Sequence, residues 1–167
     1  MVNQPDATRK RIAAIYAAAT KFRVALEKGG LPLISLADFP RGSCGDTCEL
    51  FGQFLIDSGF GEWLYCSGQR DEPFHTHAWL EQQGLILDIT ADQFPDIHQR
   101  VLLTLDHSWH ARFLPVTGRR IAGRRVRHRG PLRTLAGSLH MTVRLRRSGR
   151  MASCCVGWAT KDRKSVV

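Results

Sequence analysis

Two strand-like stretches, residues 74–81 and 85–90, constrain the fold of this chain more than any other feature. Each carries one row of alternate residues that is almost wholly apolar, which is typical of a β-strand with one buried face. Only Gln82, Gln83 and Gly84 separate the two stretches, so the connection is a tight turn. The sequence therefore predicts an antiparallel β-hairpin.

The same pattern predicts which side chains share a face of this hairpin. Pairing the apolar rows places His77 and Asp88 together on the opposite face, and slipping the register by one residue would set apolar against polar rows. If Gln82 and Gln83 form a two-residue loop, His77 lies directly opposite Asp88. A loop one pair longer leaves the two diagonal on that face, whereas a three-residue loop with a bulge would separate them. The apolar row contains Ala78, Leu80, Leu85, Leu87 and Ile89, with Thr76 as its polar member.

The remaining patterns predict an α+β fold in which N-terminal helices pack on a short antiparallel sheet. Residues 6–28 are predicted to form a helix capped by Asp6, and residues 46–58 a second helix ended by Gly59. A strand is predicted over 62–66, and residues 101–105 and 109–116 are predicted to add a strand or a cover. The predicted buried stripes are Ile12, Ile15, Ala19, Phe22 and Leu26 in the first helix and Leu50, Phe51, Phe54 and Leu55 in the second.

Three residues in these elements form a candidate catalytic set. Cys44 stands at the start of the second helix, where free N–H groups and the helix dipole favour a thiolate. His77 can supply an adjacent imidazolium, and Asp88 can orient that ring by accepting from its other nitrogen. We interpret Cys44, His77 and Asp88 as the triad of a cysteine hydrolase or acyltransferase.

The residues around this set resemble the core of the transglutaminase-like superfamily, whose fold is related to that of papain-like proteases. The resemblance covers about residues 40–95. It implies that Cys44 is the nucleophile, His77 the general base and acid, and Asp88 the orienting carboxylate. It also implies a papain-like or transglutaminase-like fold, an amide bond in a protein or peptide as substrate, a thioester intermediate and no cofactor. The matching residues are 42–51, Phe54 and Leu55, 58–60, 77–81 and 87–90.

The chain departs from this family pattern at two points. Cys48 stands where the family has a small residue, so it is either a resolving thiol or, as we favour, a small buried hydrophobe. Papain-like enzymes carry a glutamine ahead of the nucleophile, yet the only glutamine upstream of Cys44 is Gln4. The backbone N–H of Cys44 is then one expected oxyanion donor, and the second is left open.

Structural roles compete with the catalytic interpretation. Cys44 is otherwise a buried free cysteine, His77 a core histidine and Asp88 a cap at a strand end. A zinc site made by Cys44, Cys48, His75 and His77 is a further alternative, because zinc prefers thiolate and imidazole ligands. That spacing matches no common structural site and gives Asp88 no role.

Charge divides the chain into two parts. Residues 1–110 hold nine Lys or Arg against 14 Asp or Glu, a net charge of −5, and residues 111–167 hold 15 against one, a net charge of +14. We therefore predict a catalytic domain over residues 1–115 and an arginine-rich extension over 116–167. The extension suggests the alternative of a non-catalytic protein that binds nucleic acid or another polyanion.

Hydropathy and cysteine content give the expected location. No apolar run approaches the roughly 20 residues of a membrane-spanning helix, and no signal peptide is evident, so we expect a cytoplasmic protein without a membrane partner. The odd number of cysteines, five, favours reduced thiols over a disulfide framework.

Overall fold

The chain forms an α+β structure in which two helices pack on a five-stranded antiparallel sheet. The computed structural model describes residues 4–29 and 33–121. The strand order in the sheet is β4-β3-β2-β1-β5. None of the helices in these residues is long and apolar enough to cross a membrane. The elements are α1 (Gln4–Glu27), α2 (Cys44–Asp57), β1 (Leu64–Asp71), β2 (Phe74–Gln82), β3 (Leu85–Asp88), β4 (Leu102–Thr104) and β5 (Leu114–Arg120).

The main core lies between the helices and one face of the sheet. Phe22 of α1 stacks on Phe51 of α2 with ring centroids 4.8 Å apart, and Leu80 and Leu87 close the core from the sheet. The predicted stripes are buried, except that Ile12 at the outer end of the α1 stripe is 38% exposed. Helix α1 begins at Gln4, so Asp6 lies in its first turn, paired with Lys10, and does not cap it.

The hairpin of β2 and β3 forms as predicted, but its turn is displaced by one residue. Gln82 pairs with Leu85, so the two-residue turn is Gln83-Gly84 and the predicted Gln82-Gln83 loop is wrong. Both turn residues have positive φ, 53° at Gln83 and 77° at Gly84. A turn of this kind needs left-handed backbone at both central positions, which glycine adopts at little cost. Moving the turn by one residue preserves which side chains share a face.

Strands β1 and β5, next to the hairpin in the sheet, differ more from prediction. Strand β1 runs to Asp71, well past the predicted end at residue 66, and pairs along its whole length with β2. Strand β5 pairs with the other edge of β1, and Ile121 just beyond it is buried in the main core. The predicted domain boundary after residue 115 therefore falls inside β5. Most of the arginine-rich extension, and with it the proposed polyanion-binding arm, lies outside the described residues.

A second apolar cluster covers the sheet face opposite the helices. It contains Trp79 and Ile86 from the hairpin and Phe94 and Phe113 from the segments that follow, with Cys66 and Trp109 packed against it. Residues 109–113 therefore act as a cover, and residues 114–120 as a strand. Burial of both sheet faces means that polar side chains on β2 and β3 need partners within the protein.

Gly68 on β1 marks a close approach between strands. A methyl group at this position would lie 2.8 Å from the Leu114 carbonyl oxygen and 2.8 Å from Phe113 Cβ, where the β1–β5 register shifts. We expect Gly68→Ala to lower the free energy of unfolding by about 1–3 kcal/mol, because backbone must move. Gly118→Ala on β5, which meets nothing within 4 Å, is the matched control. Urea unfolding that gives equal changes for both variants would contradict this account.

Candidate active site

The start of α2 leaves its backbone N–H groups available around Cys44. Ser43 is the N-cap residue, but its hydroxyl donates to the Pro40 carbonyl (2.8 Å) and, within the described chain, makes no capping hydrogen bond. The first intrahelical bond runs from Thr47 N to Ser43 O at 2.9 Å. The N–H groups of the first turn, including that of Cys44, therefore have no acceptor inside the helix. This arrangement favours negative charge on or near the Cys44 sulfur.

His77 and Asp88 lie on one face of the hairpin and are in direct contact. His77 Nε2 is 2.6 Å from Asp88 Oδ2, and both side chains are almost completely buried. With Gln82 opposite Leu85, continuing the register places Trp79 directly across from Asp88. His77 is thus diagonal to Asp88, which corrects the prediction that the two stand directly opposite. The imidazole is long enough to cover the diagonal spacing.

The structure also brings Cys44 to His77. The Cys44 thiol lies in contact with the His77 ring and with the Ala78 backbone, and both interactions favour the thiolate. Because Asp88 occupies Nε2, the ring nitrogen left for Cys44 is Nδ1. The three predicted residues therefore form a continuous chain of contacts from thiol to imidazole to carboxylate.

The charges of Cys44, His77 and Asp88 stabilise one another. Burial would raise the pKa of Cys44, but the hydrogen bond and charge of His77, together with the Ala78 N–H, bring it below the ordinary value of 9.0. Burial would lower the pKa of His77, but the charge and hydrogen bond of Asp88 outweigh it and, with Cys44, raise it to about 9. At neutral pH these directions favour a Cys44 thiolate beside a His77 imidazolium.

The other two thiols of the described chain have the opposite character. Cys48 is buried in the main core, and burial holds its pKa well above the ordinary value. Burial and the nearby charge of Glu81 raise the pKa of Cys66 to about 12. Cys44, Cys48 and Cys66 are all free thiols. The predicted packing role of Cys48 fits its position, and Cys44 alone of these three has a lowered pKa.

Asp88 has a second histidine partner that sequence patterns did not reveal. His110 Nε2 is 3.0 Å from Asp88 Oδ2, while the Thr90 N–H (2.9 Å) and hydroxyl (3.2 Å) both donate to Oδ1. Burial would raise the pKa of Asp88, but the charge of His77 and the hydrogen bonds from His110 and His77 hold it well below its usual range. No local pattern marks His110, because it lies on a short 3₁₀ turn that only the tertiary fold brings to β3.

Gln93 is a further residue at the site that the sequence did not single out. It ends the 3₁₀ turn after β3, and its side-chain Nε2 lies 3.4 Å from His77 Nδ1. Its side-chain oxygen accepts from the Gly42 N–H at 3.3 Å. Gln93 thus connects the loop before Cys44 with the histidine. A glutamine five residues beyond a strand-end aspartate carries no local sequence signal of this position, which depends on the geometry of the turn.

Aromatic rings enclose His77 on the face opposite the helices. Phe94, Phe113 and Trp109 lie with ring centroids 5.0, 5.4 and 5.6 Å from that of His77. Trp79 stacks on His77 at 5.9 Å and donates a hydrogen bond to Glu81 at 2.7 Å. The imidazole is fully shielded, whereas Cys44 is only partly buried. Of these two residues, Cys44 is therefore the one that is accessible to solvent.

A metal-binding alternative centres on different residues from those predicted. Among residues 4–29 and 33–121, the group whose ligand atoms come together is His77, Asp88 and His110, all buried. The predicted set of Cys44, Cys48, His75 and His77 does not assemble there, because Cys48 points into the main core while His75 is exposed. The hydrogen bonds from both histidines to Asp88 account for the contacts of the observed group without an ion.

Fold and site together define an α+β protein in which the Cys44 thiol contacts the His77 imidazole and that ring contacts the Asp88 carboxylate. No protein-family model matches the chain, and neither does any curated protein or solved structure.

Proposed function

We propose that this protein is a cysteine-dependent hydrolase or acyltransferase that acts on an amide bond, with a transglutaminase-like or papain-like catalytic domain. Cys44 is the nucleophile, His77 the general base and acid, and Asp88 the carboxylate that orients the ring. The substrate class is a protein or peptide. The observation that carries the proposal is the continuous chain of contacts from Cys44 through His77 to Asp88 at a helix start.

The reaction begins with attack of the Cys44 thiolate on the amide carbonyl carbon. The carbonyl electron pair moves to oxygen, and collapse of this tetrahedral species expels the amine, which takes the proton from His77. The acyl group remains on Cys44 as a thioester. His77 then removes a proton from water or from a second amine, which attacks the thioester and restores the thiolate.

His110 and Thr90 contribute by fixing the carboxylate. Three donors from these two residues, together with His77, occupy both oxygens of Asp88, so the carboxylate stays ionised and cannot rotate away from His77. A fixed carboxylate selects the ring tautomer with hydrogen on Nε2 and leaves Nδ1 for the thiol. These residues act through Asp88 and do not touch the substrate.

Selective alkylation tests the nucleophile. At about pH 6.5 we expect iodoacetamide to label Cys44 at least about tenfold faster than Cys48 or Cys66, because Cys44 alone of these three described thiols has a lowered pKa. Peptide mass spectrometry of the native protein gives the rate at each cysteine. A Cys44→Ser variant is the control, and in it the labelling of Cys48 and Cys66 should stay slow. Uniform labelling of the three thiols in the folded protein would overturn the proposal.

A further inference from the structure

The side-chain amide of Gln93 has a fixed orientation at the candidate site. Its oxygen faces the Gly42 N–H at 3.3 Å, and its nitrogen faces the Thr90 carbonyl oxygen at 3.0 Å. A backbone N–H can only donate and a carbonyl can only accept, so turning the amide over would break both contacts. Two backbone groups therefore set the direction of this side chain, whatever the protonation state of His77.

This orientation directs one amide hydrogen of Gln93 toward the reactive pair. The nitrogen carries two hydrogens, and the Thr90 carbonyl takes one of them. The nitrogen also lies 3.4 Å from His77 Nδ1, the ring nitrogen left for Cys44. When Nδ1 carries the proton of the imidazolium, it cannot accept from Gln93. The second amide hydrogen is then free of an acceptor at the His77 ring that Cys44 contacts.

We propose that Gln93 is a catalytic residue that donates this hydrogen to the carbonyl oxygen of the acyl group as Cys44 attacks it. The inference rests on the proposed function and supplies the second oxyanion donor, beside the Cys44 N–H. As the carbon–sulfur bond forms, the electron pair of the carbonyl moves to oxygen and is held by these two donors. When the C=O bond forms again, the leaving group departs with the proton from His77.

The position of Gln93 in the chain suits this role. Its oxygen holds the Gly42 N–H, two residues before Cys44, and its nitrogen holds the Thr90 carbonyl, two residues after Asp88. The donor is thus tied to the backbone on both sides of the triad. A donor fixed before the reaction needs no rearrangement as charge develops on the substrate oxygen, which is the condition for a large effect on rate.

Two reactions of Cys44 separate this role from a positioning role. Iodoacetamide reacts at a tetrahedral carbon and forms no oxyanion, whereas p-nitrophenyl acetate acylates the thiol through one. We expect Gln93→Met, which keeps the length of the side chain without a donor, to slow acetylation of Cys44 about 100-fold. Alkylation should change by no more than about threefold. Gln53→Met on α2, whose amide contacts Asp57, is the control and should alter neither rate.

Other results would overturn the assignment in distinguishable ways. Equal slowing of both reactions would mean that Gln93 only positions His77, and no change in either would mean that it takes no part. Gln93→Ala, measured in the same way, provides the answer if the methionine variant fails to fold. Absence of acetylation at Cys44 in the unaltered protein would overturn the proposed function and the Gln93 assignment together.

Discussion

Replacement of His77 by glutamine is expected to slow alkylation of Cys44 at about pH 6.5 by roughly 100-fold. The glutamine amide can still donate to Asp88, but it cannot carry the positive charge that helps lower the pKa of Cys44. The thiol then returns to or above its ordinary pKa of 9.0, since burial is no longer offset by His77. At that pH less than about 1% of such a thiol is ionised.

The pH dependence of Cys44 acetylation provides a second test of the role of His77. In the unaltered protein, acetylation by p-nitrophenyl acetate should rise as Cys44 loses its proton below pH 9.0 and fall as His77 loses its proton at about 9. In His77→Gln the acetylation rate should instead climb steadily through pH 9, with a single titration. The two profiles are measured by mass spectrometry of the Cys44 peptide.

His75 offers a matched control on the same strand. It lies two residues before His77 and is exposed, with its ring against Phe94 at 5.6 Å. We expect His75→Gln to leave both the alkylation rate at about pH 6.5 and the pH profile of acetylation unchanged. If His77→Gln behaves like His75→Gln, His77 does not activate the thiol and the proposed mechanism is wrong.

Arg23→Ala is expected to lower the free energy of unfolding by about 3–5 kcal/mol. The Arg23 side chain is 4% exposed and makes a two-point contact with Asp92, at 2.7 and 2.8 Å. It also donates to the carbonyl oxygens of Ile89 and Arg100 and to Glu27. Its removal leaves a mostly buried carboxylate and two carbonyl oxygens without their donor. Removing only one partner of a buried ion pair lowers the free energy of unfolding strongly, because the other charge stays buried without a partner.

Arg11 on the same helix provides the comparison for this variant. It is exposed and donates to the Phe60 carbonyl at 2.9 Å and to Gln82 at 2.6 Å. We expect Arg11→Ala to change the free energy of unfolding by less than about 1 kcal/mol, because an exposed contact is easily replaced by water. Urea denaturation followed by circular dichroism measures both. A loss below about 1 kcal/mol for Arg23→Ala would refute the structural role assigned to this arginine.

Arg23 also connects stability to the candidate site. Its acceptors Ile89 and Asp92 are the neighbours of Asp88 and Gln93 in the chain. The segment 88–93, which carries the orienting carboxylate and the proposed oxyanion donor, is therefore held to α1 by Arg23. In the sequence, Arg23 reads as one charge on an amphipathic helix, and nothing local shows that it becomes buried.

The hairpin illustrates what could be predicted and where prediction stopped. Its strands and the shared face of His77 and Asp88 follow from the alternation of apolar and polar residues. A slip of the register by one residue would turn the apolar row away from the core, so only shifts by two residues are compatible with a half-buried strand. The pattern misplaces the turn by one residue because alternation carries no information on the two positive φ angles, although Gly84 is the residue best suited to one of them. That error moved His77 from opposite Asp88 to a diagonal position without removing the contact.

The sequence by itself determined the local elements: two helices, a hairpin with its faces, and a cysteine at a helix start. These depend on residues only a few positions apart, whose spacing is visible in the chain. The tertiary structure alone decided the pairing of β5 with β1 and the contacts of His110, Gln93 and Arg23. Each of these three side chains meets a partner at least 16 residues away, because buried polar atoms must find donors and acceptors wherever the fold supplies them.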